Sequence, residues 1–252
     1  MVEIAAHTLE SLDKKNEAGY SDETAKFAIL DAGRRMYTRG WAAANDGNIS
    51  CMTASGEIWV TPGGVSKGHM KKNMLVKVDV DGAVLEGDWK PSSEILMHLR
   101  VYKENCRAKA VVHAHTPMAT AFACAGMGLD KPILAEVVAL LGPVPVAPFA
   151  LPGTGQVAEA IAPFCRDYCS VLLANHGVLT WGASLSEAYH RLERLEHYAH
   201  VMMLTGHLPG TANYIGASDV AKLSGAMAGG WCGVGGFGAV CAGSGGAGSN
   251  SY

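Results

Sequence analysis

Several features are missing from this sequence, and each absence excludes a class of protein. The longest apolar stretches, residues 121–128 and 133–150, are interrupted by glycine, proline or an acidic residue, so neither supplies the roughly 20 apolar residues of a membrane-spanning helix. No C-x-x-C pair occurs among the seven cysteines, which argues against a cysteine-based zinc or redox motif. The formal net charge of -3 and the lack of a basic stripe argue against nucleic-acid binding.

The composition is typical of a compact globular protein. Hydrophobic residues make up 49% of the 252 positions and charged residues 17%, far from the composition of disordered chains. The first residues lack the basic-then-apolar order of a secretory signal, so we expect a cytoplasmic protein. We predict an N-terminal extension at 1–21, a single domain at 22–224 and a glycine-rich tail at 225–252.

Helices are predicted from capping residues and apolar spacing. Ser21 and Gly40 are typical of the residues that flank a helix, and Ser184-x-x-Glu187 forms a capping box. These patterns predict helices at residues 22–39, 93–102, 158–168 and 185–205. On the last helix, the face expected to be solvated carries Arg191, Arg194 and Glu196.

Strands are predicted from short runs of β-branched and aromatic residues. Such runs occur at residues 57–61, 75–80, 110–115, 144–147, 171–174 and 178–181. The dipeptide Asp81-Gly82 predicts a hairpin turn, so part of the sheet should be antiparallel. Strands mixed with helices predict an α/β domain built in layers.

The most informative motif is His113-Ala114-His115 at the end of an apolar run. Residues two apart on a strand project to the same face, so both imidazoles can bind one cation. His176, in a turn after another predicted strand, and Glu94, early on a predicted helix, add a third nitrogen and a carboxylate. This donor set suits Zn²⁺ or a similar divalent ion. A weaker candidate cluster has helical spacing and consists of His190, Glu193 and His197.

Two glycine-containing segments, residues 47–50 and 61–68, predict loops whose backbone N–H groups can bind an anion. On its own this pattern is weak, because such residues form ordinary turns. Ser92 and Ser93 add hydroxyl groups at the start of a helix, where the dipole favours negative charge. We therefore expect a phosphate to bind beside Glu94.

Taken in order, these motifs resemble the class II aldolase/adducin family, whose members include L-fuculose-1-phosphate aldolase. The resemblance covers about residues 22–206. The motifs that carry it are Gly47-Asn48-Ile49-Ser50, Thr61-Pro62-Gly63-Gly64, Pro91-Ser92-Ser93-Glu94, Val111-Val112-His113-Ala114-His115, Ala147-Pro148-Phe149 with Gly153-Thr154, and Asn175-His176-Gly177.

The resemblance implies a three-layer αβα domain around a mostly antiparallel sheet. It also implies a metal, Zn²⁺ or else Mn²⁺ or another divalent ion, on His113, His115 and His176. Glu94 is implied as a further ligand that becomes the catalytic acid/base. A homotetramer with its sites between subunits is implied as well.

The substrate implied by the resemblance is a phosphorylated sugar. The residues implied to hold its phosphate are Asn48, Gly63, Gly64, Ser92 and Ser93. Glu94 favours aldol chemistry over epimerisation, because the family's epimerases carry Asp at this position. The fuculose enzyme differs in having Thr at the position of Gly63 and Tyr near Glu136, so Glu136 is a candidate substrate contact that changes the specificity.

The main prediction is a metal-dependent aldolase, a lyase of carbohydrate metabolism that cleaves a ketose 1-phosphate to dihydroxyacetone phosphate and an aldehyde. The first alternative is decarboxylation of a 3-oxo acid or its phosphate in the same pocket. A sugar-phosphate 4-epimerase is a further alternative. The alternative from another class is a non-catalytic, adducin-like assembly module.

Overall fold

The computed structural model describes residue 9 and residues 19–226. The strands are β1 (Asn48–Met52), β2 (Ile58–Val60), β3 (Val76–Val78), β4 (Val84–Glu86), β5 (Ala110–Ala114), β6 (Val146–Ala147), β7 (Ser170–Leu173) and β8 (Gly177–Gly182). The helices are α1 (Asp22–Thr38), α2 (Ile95–Glu104), α3 (Pro117–Cys124), α4 (Ala135–Leu140), α5 (Gly155–Ile161), α6 (Leu185–Gly206) and α7 (Ala217–Ala226). Two short 3₁₀ helices lie at Lys72–Met74 and Ala162–Phe164.

The strands form one eight-stranded sheet in the order β4-β3-β2-β1-β5-β8-β7-β6. Every neighbouring pair is antiparallel except β6 and β7, which are parallel. Strand β5 therefore lies in the middle of the sheet, between β1 and β8. The predicted turn joins β3 to β4, and Gly82 adopts φ +92° there. The mostly antiparallel sheet is confirmed.

Alternating strand residues divide the hydrophobic core into two layers. Val112 of β5 belongs to the cluster that includes residues of α1, α3, α4, α6 and α7. Its neighbour Val111 belongs to the other cluster, with residues of α2 and α5. Since successive side chains of a strand point to opposite faces, helices cover both sides of the sheet. This confirms the predicted three-layer fold.

The polar face predicted for α6 was wrong in part. Arg191 and Glu196 are buried, with 3% and 9% of their surfaces exposed. Arg191 Nη1 donates to Trp181 O at 2.6 Å. The Glu196 carboxylate accepts from Met118 N at 3.0 Å and Ala119 N at 2.9 Å. Glu196 therefore caps the N-terminus of α3, a contact between distant segments that helical spacing does not reveal.

Other boundaries differ from the prediction for local reasons. Asn48, expected in a loop, begins β1, and the preceding Gly47 has a left-handed φ of +74°. Helix α5 begins earlier and ends earlier than predicted, since Pro163 lies in the 3₁₀ segment that follows it. Helices α3, α4 and α7 were not predicted.

Residues 1–8, 10–18 and 227–252, which hold most of the predicted extension and tail, lie outside the described residues. Within the described part of the chain, no helix is long and apolar enough to cross a bilayer.

Candidate metal centre

Strand β5 positions the first two histidines. Val111 faces the α2 side of the sheet, and strand alternation directs His113 to the same side. His115 follows two residues later, just beyond the strand. The Nε2 atoms of His113 and His115 are 3.1 Å apart, so the two imidazoles converge as the sequence pattern predicted.

The turn between β7 and β8 supplies His176. Asn175 holds φ at +57°, a left-handed conformation that Asn tolerates better than most residues. Gly177 then starts β8 against the histidines, where a Cβ would lie 2.6 Å from Ala114 O and 2.7 Å from His115 Cδ2. The motif Asn-His-Gly therefore has a steric basis: the strand reaches β5 closely only without a side chain at this position.

Glu94 reaches the histidines from the start of α2. It is the N-cap residue of the helix, one position before the first turn in which the sequence was expected to place it. Its Oε1 lies 3.1 Å from His176 Nε2, and its Oε2 lies 3.4 Å from His113 Nε2. Glu94 Oε1 is buried and has no hydrogen-bond partner among the described residues. Both carboxylate oxygens thus face the imidazole nitrogens.

Hydrogen bonds orient two of the imidazoles. His113 Nδ1 donates to Val178 O at 2.8 Å, which leaves Nε2 with a lone pair. His115 Nδ1 lies 3.2 Å from Asp46 Oδ2, which favours the same tautomer. Such outer partners commonly fix metal-binding histidines. Asp46 was not singled out in the sequence, although it lies in the turn just before Gly47.

The protonation states of the histidines and Glu94 suit the binding of a cation. Burial, with a smaller contribution from the neighbouring histidines, outweighs the opposing charge of Glu94 and lowers the pKa of His113 to about 3, so this imidazole is neutral. Burial also lowers the pKa of His115, as does the charge of His176. Burial raises the pKa of Glu94, but the contact with His176, the electrostatic interactions with the His113 and His176 imidazoles and the hydrogen bond from Asn48 outweigh this effect and lower the pKa overall. Glu94 is therefore a carboxylate.

The spacing of these donors fits a metal ion. The ligand nitrogens of His113, His115 and His176 all lie within 4.8 Å of one another. In a tetrahedral zinc site with bonds of about 2.1 Å, the ligand atoms are roughly 3.4 Å apart. The contacts of 3.1 Å between His113 and His115 and 3.4 Å between His113 and Glu94 are close to this value. Neutral imidazoles and a carboxylate oxygen without a hydrogen bond are the donors that such an ion requires.

A buried chain of polar side chains runs away from Glu94. Asn48 Nδ2 donates to Glu94 Oε2 at 2.8 Å, and Asn48 Oδ1 lies 2.5 Å from His98 Nε2. Ser50 Oγ lies 2.7 Å from both His98 Nδ1 and Tyr102 OH. Sequence reasoning missed His98, although its position four residues after Glu94 on a predicted helix was a usable signal.

The two loops expected to bind an anion lie side by side. Ser92 N donates to Thr61 O at 3.1 Å, and Gly63 N donates to Lys90 O at 3.0 Å. The Gly63 N–H is therefore already used within the protein, and the serine hydroxyls are better placed to bind an anion. Ser92 is mostly buried, whereas Ser93 and Gly64 are exposed. Asn48, the remaining residue of the predicted phosphate site, donates to Glu94, and its contact with phosphate stays a prediction.

Glu136 lies on α4, away from these loops in the sequence. It lines a cavity of about 620 Å³ together with Leu134, Val137, His190, Glu193, Arg194 and His197. The three metal-site histidines are not among these lining residues. His190 and His197 are not part of a three-ligand cluster within the described residues, where only His113, His115 and His176 form one. The role of Glu136 as a substrate contact stays a prediction.

The sequence profile of the Class II Aldolase and Adducin N-terminal domain matches residues 27–203. The chain belongs to this family. All the residues of the metal centre fall within the matched segment. The three-layer fold agrees with the assignment, so the predicted resemblance is confirmed at the level of the family and the fold.

Relatives of class II aldolase type carry different activities. The chain is 38% identical to the 3-oxo-tetronate 4-phosphate decarboxylase of Escherichia coli K12 over 193 residues, which are 75% of this chain and 89% of the relative. It is 34% identical to the 5-deoxy-D-ribulose 1-phosphate aldolase of Bacillus thuringiensis over 179 residues, 70% of this chain and 83% of that protein. The crystal structure of YgbL from Klebsiella pneumoniae matches with a TM-score of 0.76 and 32% identity, covering 81% of this chain and 100% of that chain.

Proposed function

We propose that this protein is a metal-dependent lyase that decarboxylates a phosphorylated 3-oxo acid of the 3-oxo-tetronate 4-phosphate type. The observation that carries the proposal is the 38% identity to a decarboxylase of this name across 89% of that enzyme. The comparisons thus favour the first alternative drawn from the sequence over the aldolase, which was the main prediction. The metal centre serves either reaction, because both leave negative charge on a carbon next to a ketone.

In this proposal His113, His115 and His176 hold the metal. When bound, a divalent ion acts as a Lewis acid that stabilises negative charge on a ketone oxygen. Ser92 and Ser93 hold the phosphate at the start of α2, so the reacting carbon lies near Glu94. The hydroxyl of Ser92 accepts a hydrogen bond from Glu94 N at 3.3 Å and keeps its own proton for the phosphate.

The bonds balance as follows for a 3-oxo acid that carries phosphate on C4. The C1–C2 bond breaks, carbon dioxide leaves, and the electron pair passes to C2 and onto the C3 ketone oxygen. A proton taken up from solvent water by the Glu94 carboxylate is passed to C2, which completes dihydroxyacetone phosphate and returns Glu94 to its ionised form. Contacts with two histidines and the Asn48 amide hold this carboxylate beside the metal ligands.

The test is to incubate metal-loaded protein with 3-oxo-tetronate 4-phosphate and to measure carbon dioxide and dihydroxyacetone phosphate together. We expect equal amounts of both products and their loss with a chelator. Glu94→Gln should keep bound metal but lose turnover by about 10²-fold or more. Full activity in that variant would remove Glu94 from the mechanism, and absence of carbon dioxide from active protein would reject the decarboxylase.

The second candidate is the predicted aldolase, and the 34% identity to a 5-deoxy-D-ribulose 1-phosphate aldolase favours it. Its substrate would be that ketose 1-phosphate or a related one such as fuculose 1-phosphate. Here the C3–C4 bond breaks, an aldehyde leaves, and C3 takes the proton. Both reactions release dihydroxyacetone phosphate, so the co-product decides between them: aldehyde without carbon dioxide from a panel of ketose 1-phosphates would establish the aldolase.

The identity of the metal, the assembly and the location are also proposals. Three imidazoles and a carboxylate favour Zn²⁺, and metal analysis of the purified protein tests this against Mn²⁺. A homotetramer with sites between subunits, to which Glu136 of a neighbouring subunit would contribute, is tested by light scattering. A cytoplasmic location is tested by cell fractionation. Protein that binds no metal and turns over no substrate would support the assembly module instead.

A further inference from the structure

The buried chain from Tyr102 to Glu94 has one consistent direction of hydrogen bonding. A carboxylate only accepts, so the group of Asn48 that faces Glu94 is the NH₂, and the group that faces His98 is the carbonyl oxygen. His98 Nε2 must therefore carry the proton, because Asn48 Oδ1 can only accept. Each bond in the chain is fixed by the one before it.

The same reasoning continues through the imidazole. Burial lowers the pKa of His98 to about 3, so the ring is neutral and Nδ1 has no proton. Nδ1 then accepts from the Ser50 hydroxyl at 2.7 Å, and the Ser50 oxygen is left to accept from Tyr102 OH at 2.7 Å. Every donor in the chain thus points toward Glu94.

This arrangement matters because Asn48 has two possible orientations. Its side chain is 2% exposed, so no water competes strongly for the amide. If the amide turned over, its oxygen would face the Glu94 carboxylate and its NH₂ would face the Nε2 proton of His98. Both contacts would be repulsive, so the Glu94 carboxylate and the His98 proton together exclude this orientation.

We propose that His98 is a positioning residue: it holds the Asn48 amide in the orientation that donates to Glu94 and thereby sets the carboxylate at the metal centre. The register of the sheet brings Asn48 next to the metal centre, because Asn48 of β1 pairs with His113 of β5. His98 is entirely buried and touches no metal-site residue directly in its hydrogen bonds, so it acts through Asn48. This inference rests on the metal centre of the proposed function and not on its substrate.

The first experiment measures the tautomer of His98 in the wild-type protein by long-range ¹H–¹⁵N NMR, with His98→Gln used for assignment. We expect a protonated Nε2 and an unprotonated Nδ1 at neutral pH. A protonated Nδ1 would overturn the proposal, whatever the behaviour of any variant. This measurement needs neither substrate nor turnover, so it stands if the proposed reaction is wrong.

The second experiment measures metal affinity by chelator competition. His98→Met removes the donor at similar volume, and we expect metal binding to weaken about tenfold. His98→Gln can still donate to Asn48 and should stay within about threefold of wild type. Tyr102→Phe is the matched control, because it removes a buried hydroxyl from the far end of the chain and leaves the His98 donor in place. It should leave metal affinity unchanged.

The decisive comparison is made in a Glu94→Ala background. If His98 acts through Glu94, His98→Met should cause no further loss of metal affinity there. Equal losses in both backgrounds, or a loss in Tyr102→Phe as large as in His98→Met, would show that the chain only supports the fold and would overturn the proposal.

Discussion

Asp46 offers the clearest test of the metal centre, because it supports one ligand and contacts no other. Its Oδ2 lies 3.2 Å from His115 Nδ1, and its side chain is 42% exposed. Removing such a partner typically costs 10- to 100-fold in metal affinity. Since solvent can replace a partly exposed carboxylate, we expect the lower value for Asp46→Ala, about tenfold or about 1.4 kcal/mol.

The assay is chelator competition on metal-free protein at neutral pH. Asp130→Ala is a matched control, because Asp130 has a similarly exposed side chain, 41%, and contacts Lys131 rather than a histidine. The two variants change the net charge equally, so a general electrostatic effect would appear in both. If Asp46→Ala weakens metal binding no more than Asp130→Ala does, the idea that Asp46 orients His115 is refuted.

Three further predictions concern the surroundings of the site. In Gly177→Ala the new Cβ would clash with Ala114 O and His115 Cδ2, so metal affinity should fall by more than about tenfold in the same assay. Gly206→Ala adds a Cβ at an open position and should leave metal affinity unchanged. Glu196→Ala leaves two N–H groups of α3 without an acceptor, so it should lower the free energy of unfolding, measured in urea, by about 3 kcal/mol. Glu196→Gln keeps an acceptor oxygen and should cause a smaller loss. Equal losses in the two variants would contradict a capping role. Burial lowers the pKa of Lys67 from 10.5 to about 8, so between pH 8 and 10.5 the unfolded chain binds more protons than the folded one. The free energy of unfolding of the wild type should therefore rise with pH relative to that of Lys67→Met, by at most about 1.4 kcal/mol per pH unit. A difference that stays constant with pH in urea unfolding would contradict this.

The parts of the site that could be predicted are those carried by local spacing. His113 and His115 share a face because strand residues alternate, and Asn175-His176-Gly177 reads as a turn from its composition. Glu94 was expected one position inside the helix and is its N-cap instead, an error within the usual uncertainty of helix ends. That Glu94 and His176 join this pair was predicted from their residue types and their positions at the ends of predicted elements, and the family motifs imply the same set.

What the sequence did not reveal depends on contacts between distant segments. Glu196 looked like a solvated residue of α6, yet it caps α3, because charge alone does not tell whether a partner covers a helix face. Asn48 was expected in a loop, but it pairs within the sheet and its amide lies against Glu94, while its contact with phosphate stays a prediction. His98 was overlooked because a buried neutral histidine looks like any other core position.

The order of the metal-site residues along the chain has a consequence for folding. Glu94, His176 and the histidine pair at the end of β5 come from three separate segments, and no hairpin of the sheet contains them all. Closing the loops between them costs entropy that only the docked strands β5 and β8 and helix α2 can offset. The ion should consequently bind the unfolded chain weakly and the native chain tightly, which raises the melting temperature as metal concentration rises. Metal release during heating would then report the loss of the whole sheet rather than the opening of a single loop.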